Sequence, residues 1–349
     1  MEKQPDLFVL DTWYFAALSG DIKTGNLIRV VIAGEPITLG RKRDGAVFAL
    51  RDICPHRAAP LSAGRMVDDT VECPYHGWKF GVMDGTCKDI PALTADSEMP
   101  IERIKLRTFP AREDGQLIWV YISSDKRFAE EPDHRPPQFD IASARPVMRD
   151  SLMLDCHVDH AVIGLMDPAH GPYVHKQWWW RSAKSMHEKA KAFEPREMGF
   201  AMAAHSPSSN SFAYKLLGGK PVTEITFRLP GIRTELIKVG EKTLLSFTAV
   251  TPVSANKTKI TQVFFTDMGL VKALTPLLKI GAKKFLRQDG DMVDLQQLGL
   301  AYNPSLMLIE DCDVQAKWYH QIKKEWAASR KEKRPFVNPV KPRTLRWRS

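Results

Sequence analysis

The chain has 349 residues, 44% hydrophobic and 26% charged, an ordinary globular composition that excludes a disordered polymer. Its length exceeds what one core usually holds, so two domains of unequal size are expected. The formal net charge of +9 hints at nucleic acid, but residues 323–349 carry ten Lys or Arg against Glu325 and Glu332, a local +8, leaving +1 for the rest.

The first six residues lack the basic start and apolar core of a signal peptide, and no later stretch stays apolar long enough to span a bilayer. A cytoplasmic protein without a transmembrane segment is expected. Cys54, Cys73, Cys87, Cys156 and Cys312 are odd in number and irregularly spaced, which argues against a disulfide framework and for metal ligation where a cysteine has a function.

Strand-like runs at 13–18, 27–32, 36–40, 46–50 and 117–122, with Arg43-Asp44-Gly45 as a hairpin turn, predict an antiparallel sheet. Between the fourth and fifth runs lie Cys54-Pro55-His56-Arg57 and Cys73-Pro74-Tyr75-His76-Gly77-Trp78. Each loop offers one thiolate and one imidazole, so two sulfide-bridged irons can take Cys54 and Cys73 on one side and His56 and His76 on the other, a Rieske arrangement. A tetrahedral zinc site is the competing reading. The prolines and the glycine favour the cluster, because they suit tight turns whose amides approach sulfur.

The sequence turns charged and proline-rich over 123–146, a connecting segment. A helix interrupted by prolines is expected around 162–175, then strands at 223–229, 234–239, 243–250 and 259–266, and one long helix or two over 269–300. Asp167-Pro168-Ala169-His170 and Tyr173-Val174-His175 place two imidazoles five apart with a carboxylate three before the first. Two imidazoles and one carboxylate on one face of Fe(II) leave open positions for dioxygen and substrate. His157 and His160 form a rival pair read as structural, and His134, His187, His205 and His320 have no motif around them.

The two Cys/His loops resemble the Rieske domain of the ring-hydroxylating oxygenase family rather than respiratory Rieske proteins, which carry an extra cysteine in each loop. Leu165-Met166-Asp167-Pro168-Ala169-His170 with Tyr173-Val174-His175 is similar to the iron-binding segment of pheophorbide a oxygenase and vanillate O-demethylase relatives. The resemblance implies an α+β chain: an antiparallel β Rieske domain over 1–125, a connection over 126–146, a helix-grip-like catalytic domain over 147–322 with an antiparallel sheet flanked by helices, and a basic tail over 323–349. It implies a 2Fe-2S cluster, a mononuclear Fe(II) and a late-helix aspartate four residues before an aliphatic and acidic pair. Counting back from Val293-Asp294 selects Asp289, with Asp291 and Asp294 as alternatives, and all three also fit an exposed helix face.

In the family, the aspartate at the position of Asp167 bridges to a Rieske histidine of the neighbouring subunit, which implies a homotrimer; a helix N-cap is the local alternative. Many relatives have an asparagine shortly before it, where this chain has Ile163 and Gly164. Electrons are expected from NAD(P)H through a flavin reductase or ferredoxin. The expected reaction with O2 is monooxygenation or oxidative demethylation of an aromatic or lipophilic polycyclic small molecule, with cis-dihydroxylation as the alternative. A Rieske electron carrier with a binding domain, and a zinc protein using the basic tail on nucleic acid, are the rival classes. The tail is read as a docking strip for an acidic electron donor or as a solvated end. Trp178-Trp179-Trp180 is read mainly as packing.

Overall fold

A computed structural model of the chain describes residues 7–125, 132–139, 141, 144–175, 186–206 and 220–349. It divides into two compact units, Leu10–Ser143 and a second made of Met1–Val9 with Ala144–Ser349. Residues 126–131, 140, 142 and 143 of the connecting segment and Trp178 to Trp180 lie outside the described residues.

The first unit is built from three antiparallel sheets. β1 (Thr12–Leu18) pairs with β11 (Leu117–Ile122), which pairs with β10 (Ala111–Asp114). β2 (Leu27–Ile32), β3 (Glu35–Arg41), β4 (Val47–Arg51) and β9 (Thr108–Phe109) form the second sheet. The expected turn between β3 and β4 forms, with Gly45 in the left-handed region at φ +93°. Four three-residue strands, β5 (Arg65–Val67), β6 (Thr70–Glu72), β7 (Lys79–Gly81) and β8 (Cys87–Asp89), make the third sheet. Its core gathers Leu50, Leu61, Val71, Phe80 and Val82 around Cys54 and Cys73. One Cys/His loop leaves β4 and the other connects β6 to β7, so both are held at their ends by paired strands.

The second unit is one eight-stranded antiparallel sheet in the order β12-β18-β17-β16-β15-β14-β13-β19. Its strands are β12 (Met148–Leu154), β13 (Glu188–Arg196), β14 (Gly199–His205), β15 (Val222–Arg228), β16 (Ile232–Val239), β17 (Lys242–Ser254), β18 (Lys257–Thr266) and β19 (Arg343–Arg348). Among the described residues its helices are α1 (Val158–Met166), α2 (Gly171–Val174), α3 (Gly269–Leu300) and α4 (Val314–Glu332). Trp318 and Tyr319 of α4 pack on Phe193, Phe200 and Phe227 of the sheet. Residues 269–300 thus form one helix despite Pro276, and this α+β arrangement agrees with the expected fold class.

Residues 323–349 are not a separate tail. Residue 323 falls inside α4, whose Ile322, Trp326 and Ser329 are buried, and β19 pairs with β13 along its whole length. Leu345 and Trp347 alternate inward while arginines point out, so the basic composition hid a half-buried edge strand. Trp347→Ala should therefore cost about 3–5 kcal/mol of stability, read as a lower urea midpoint; an unchanged midpoint would restore the solvated-tail reading.

Candidate metal centres

The two Cys/His loops share one backbone construction. Cys54 N–H donates to Ala59 O at 2.9 Å and its carbonyl accepts from Ala58 N at 2.9 Å; Cys73 N–H donates to Trp78 O at 2.8 Å and its carbonyl accepts from Gly77 N at 3.1 Å. The residue four after each cysteine is left-handed, Ala58 at φ +58° and Gly77 at φ +71°. That turn buries the thiols and directs the following imidazoles outward: Cys54 and Cys73 are each 2% exposed, while His56 and His76 are in contact with solvent. The two imidazole rings lie 4.4 Å apart, and His56 stacks on Trp78 at 4.9 Å. Burial pushes the Cys54 thiol up to about 11, against the pull of the His56 and Arg57 amides aimed at its sulfur. Two buried sulfurs inside, two imidazoles outside and amides directed at sulfur fit a 2Fe-2S cluster of the Rieske kind.

Asp52, two residues before Cys54, carries no motif and was not singled out from sequence. Its carboxylate is fully buried and accepts from Arg29 Nη1 at 2.9 Å, Thr38 Oγ1 at 2.6 Å, Ser62 N at 2.7 Å and Ser62 Oγ at 2.8 Å. These bonds tie β2 and β3 to both ends of the first cluster loop. Asp52→Asn turns one acceptor into a donor, so stability should fall by about 2–3 kcal/mol. Visible cluster absorbance should then bleach at lower urea than in the parent; coincident curves would remove Asp52 from this role.

In the second unit α1 ends at Met166, and Asp167 Oδ1 accepts from Ala169 N at 2.7 Å. This local turn sets His170 at the start of α2, and His175 follows the last residue of that short helix. Phe285, Gln288 and Asp289 come from one face of α3 at i, i+3 and i+4 spacing. The helix can approach because Gly290 lies on β12, where a Cβ would sit 2.5 Å from Leu152 Cδ2.

The ligand atoms of His170, His175 and Asp289 converge. His170 Nε2 lies 3.2 Å from His175 Nε2, and Asp289 Oδ1 is 3.5 Å and 3.3 Å from these two nitrogens. Donors around a common ion at about 2.1 Å from each require separations of this size. His175 stacks on Phe285 at 3.3 Å, and its Nδ1 lies 3.3 Å from Gln288 Oε1. His170 Nδ1 lies 3.5 Å from Asp167 Oδ2, too loose to satisfy that buried nitrogen fully. Asp167 is not the N-cap of α2, a position that His170 holds.

Electrostatics describe a site built for a cation. Burial pushes the Asp289 carboxyl up to about 6, and burial together with the neighbouring His170 drives His175 down to about 4. Burial opposes protonation of His170, but Asp167 and then Asp289 outweigh it and hold its pKa above the usual value. Burial likewise works against the charge on Asp167, and hydrogen bonding with His170 reverses it to a lowered pKa. A half-buried carboxylate within 3.5 Å of two imidazole nitrogens is an arrangement that a divalent cation would stabilise. The donor set is compatible with a mononuclear iron.

The other candidates lie elsewhere. Asp291 pairs with Arg287 Nε at 2.9 Å and Asp294 lies 3.9 Å from Arg287 Nη2, both on the exposed face of α3. His157 caps α1, accepting from Asp159 N at 3.2 Å. Asp159 itself binds Tyr319 Oη at 2.6 Å and Lys323 Nζ at 2.8 Å, which joins α1 to α4. Beside the His170, His175 and Asp289 group lies a cavity of about 1370 Å3 between α3 and the sheet, lined by Leu165, Phe200, Phe227, Phe264, Leu274 and Leu278 among others. No helix among the described residues is long and apolar enough to cross a membrane.

Residues 12–110 match the Rieske [2Fe-2S] domain, so the chain carries such a domain and the cluster it implies. Its curated relatives include dicamba O-demethylase, oxygenase component, of Stenotrophomonas maltophilia, 35% identical over 171 residues covering 48% of each chain. Chlorophyllide a oxygenase of Arabidopsis thaliana is 28% identical over 165 residues, 47% of this chain and 28% of the relative. The chain spans about half or less of the length of these curated relatives. Among solved structures, dicamba monooxygenase bound to dicamba superposes with a TM-score of 0.75 at 23% identity, covering 92% of this chain and 99% of that one. The likeness therefore extends over both units as a shared fold.

Proposed function

We propose that the chain is the terminal component of a Rieske non-haem iron oxygenase that uses O2 and electrons from a reductase or ferredoxin to hydroxylate, or oxidatively demethylate, an aromatic or lipophilic small molecule. The observation that carries this reading is the joint presence of a Rieske domain and a separate group of His170, His175 and Asp289 opening onto a large cavity. A cluster alone moves single electrons; the second group gives them a destination.

Cys54 and Cys73 hold one iron of the cluster, and His56 and His76 the other, where their exposed rings offer electron entry and exit. Bound at His170, His175 and Asp289, a ferrous ion supplies dioxygen activation. The chain's own contribution is orientation and exclusion of water. Gln288 accepting from Nδ1–H of His175 leaves Nε2 as the ligand atom, and Phe285 fixes the plane of the ring. Asp167, 3.5 Å from His170 Nδ1, favours the tautomer protonated there through its charge and, at its partly exposed edge, offers a carboxylate to a histidine of a neighbouring subunit. This bridge requires an oligomer, and a homotrimer is the assembly that the family resemblance implies. The cavity exceeds the roughly 300–1,000 Å3 of ordinary ligand sites, which favours a bulky substrate. All five cysteines are unpaired, in keeping with a cytoplasmic or otherwise reducing compartment.

The test is turnover under 18O2 with a nicotinamide-dependent reductase, a ferredoxin and a panel of polycyclic methyl ethers, aryl and steroidal ligands. Products should carry one labelled oxygen, or lose a methyl group. Two labelled oxygens would identify a dihydroxylase. A cluster that cycles with no product from any ligand would favour the electron carrier.

A further inference from the structure

A polar stripe crosses the sheet wall of the cavity. In one row Arg233 lies opposite Phe227 on β15 and Thr248 on β17, and Thr248 lies opposite Gln262 on β18; in the next, Glu235 lies opposite Ser246. Directly opposed residues of antiparallel strands project from the same face about 5 Å apart. All five polar side chains line the cavity.

The stripe holds hydrogen-bond donors that the protein leaves underused. Arg233 is four-fifths buried, and its single polar partner among the described residues is Glu235 Oε2 at 3.5 Å. A guanidinium has five N–H donors, so one long ion pair leaves most of them directed at the cavity. The Thr248 hydroxyl is fully buried without a hydrogen-bond partner, and Gln262 Nε2 reaches Ser246 Oγ only at 3.5 Å.

We propose that this stripe recognises a carboxylate carried by a lipophilic ligand. Arg233 takes both carboxylate oxygens in its fork, and Thr248 and Gln262 donate to the remaining lone pairs. The hydrophobic body then lies between Phe227 and Phe264 of the sheet and Leu274, Leu278 and Phe285 of α3. The proposal rests on the oxygenase reading only for what happens to the ligand once bound.

The experiment is equilibrium fluorescence titration of the purified, metal-loaded protein at pH 7.5 with 1-pyrenebutanoic acid and its methyl ester. The parent protein should bind the acid at least tenfold more tightly. Arg233→Gln should remove that preference while the ester affinity stays within twofold; Arg233→Lys should keep part of it, and Thr248→Val should reduce it about threefold. Lys242→Gln removes one positive charge from the same cavity outside the stripe and should leave the preference intact. An unchanged visible cluster spectrum in each variant shows that it has folded. Equal affinity for acid and ester in the parent, or a preference that survives Arg233→Gln, overturns the proposal, as does failure to bind both this pair and the smaller 2-naphthylacetic acid and its ester. Binding with the predicted preference while no ligand of the oxygenation panel gives a product would sink the oxygenase reading and leave the subsite standing.

Discussion

His170→Ala and His175→Ala should each lower turnover by at least about 10^3-fold while the visible spectrum of the Rieske cluster stays unchanged. The reason lies in the separation of the two ligand sets: one is carried by short loops in Leu10–Ser143, the other by α2 and α3 of the second unit. Loss of one imidazole leaves a half-buried carboxylate and one nitrogen, too few donors to hold iron in competition with solvent. His175 is the more demanding position, since it is 1% exposed and stacked on Phe285. Iron analysis should show the loss of the mononuclear metal alone. Retained turnover in either variant would end the assignment of these histidines as ligands.

Asp167→Asn is the second large effect. The substitution keeps the size of the side chain and the local bond from Ala169 N, so both metals should remain bound. It removes the charge that holds His170 protonation above its usual value and, in the assembly proposed above, the acceptor for a neighbouring subunit. Electron transfer from cluster to mononuclear iron should slow by about 10–100-fold, the usual cost of losing a partner that orients a metal ligand. Single-turnover oxidation of the pre-reduced cluster reads this directly. Transfer at the parental rate with full metal content would return Asp167 to a purely local turn role.

Legibility in the sequence followed how local each feature is. The Cys/His loops and the 167–175 segment are contiguous, so spacing exposes the first, and the second stands out once the Rieske motif and the family resemblance are read beside it. Asp289 needed a pattern on a distant helix; the structure brings it beside His170 and His175 and leaves Asp291 and Asp294 outside. Asp52, Phe285 and Gly290 depend on partners far along the chain, and nothing in their neighbours announces them. Strands β5 to β8 have three residues each, too short for period-two alternation to rise above chance. α4 was legible and overlooked: Val314, Trp318, Ile322 and Trp326 recur at helical spacing and are all buried. The alternation of Leu345 and Trp347 was likewise present, masked by the arginines between them. The net charge of the last residues described composition, and the folded chain uses that stretch as structure.

The claim that one chain holds two different iron centres is tested most directly by counting metal. After anaerobic incubation with ferrous iron and removal of the excess, the parent should contain about three irons for two acid-labile sulfides per chain. Asp289→Ala should contain about two of each, with its cluster spectrum intact. A parent that never exceeds two irons for two sulfides, or a colourless protein that holds zinc, would contradict the account.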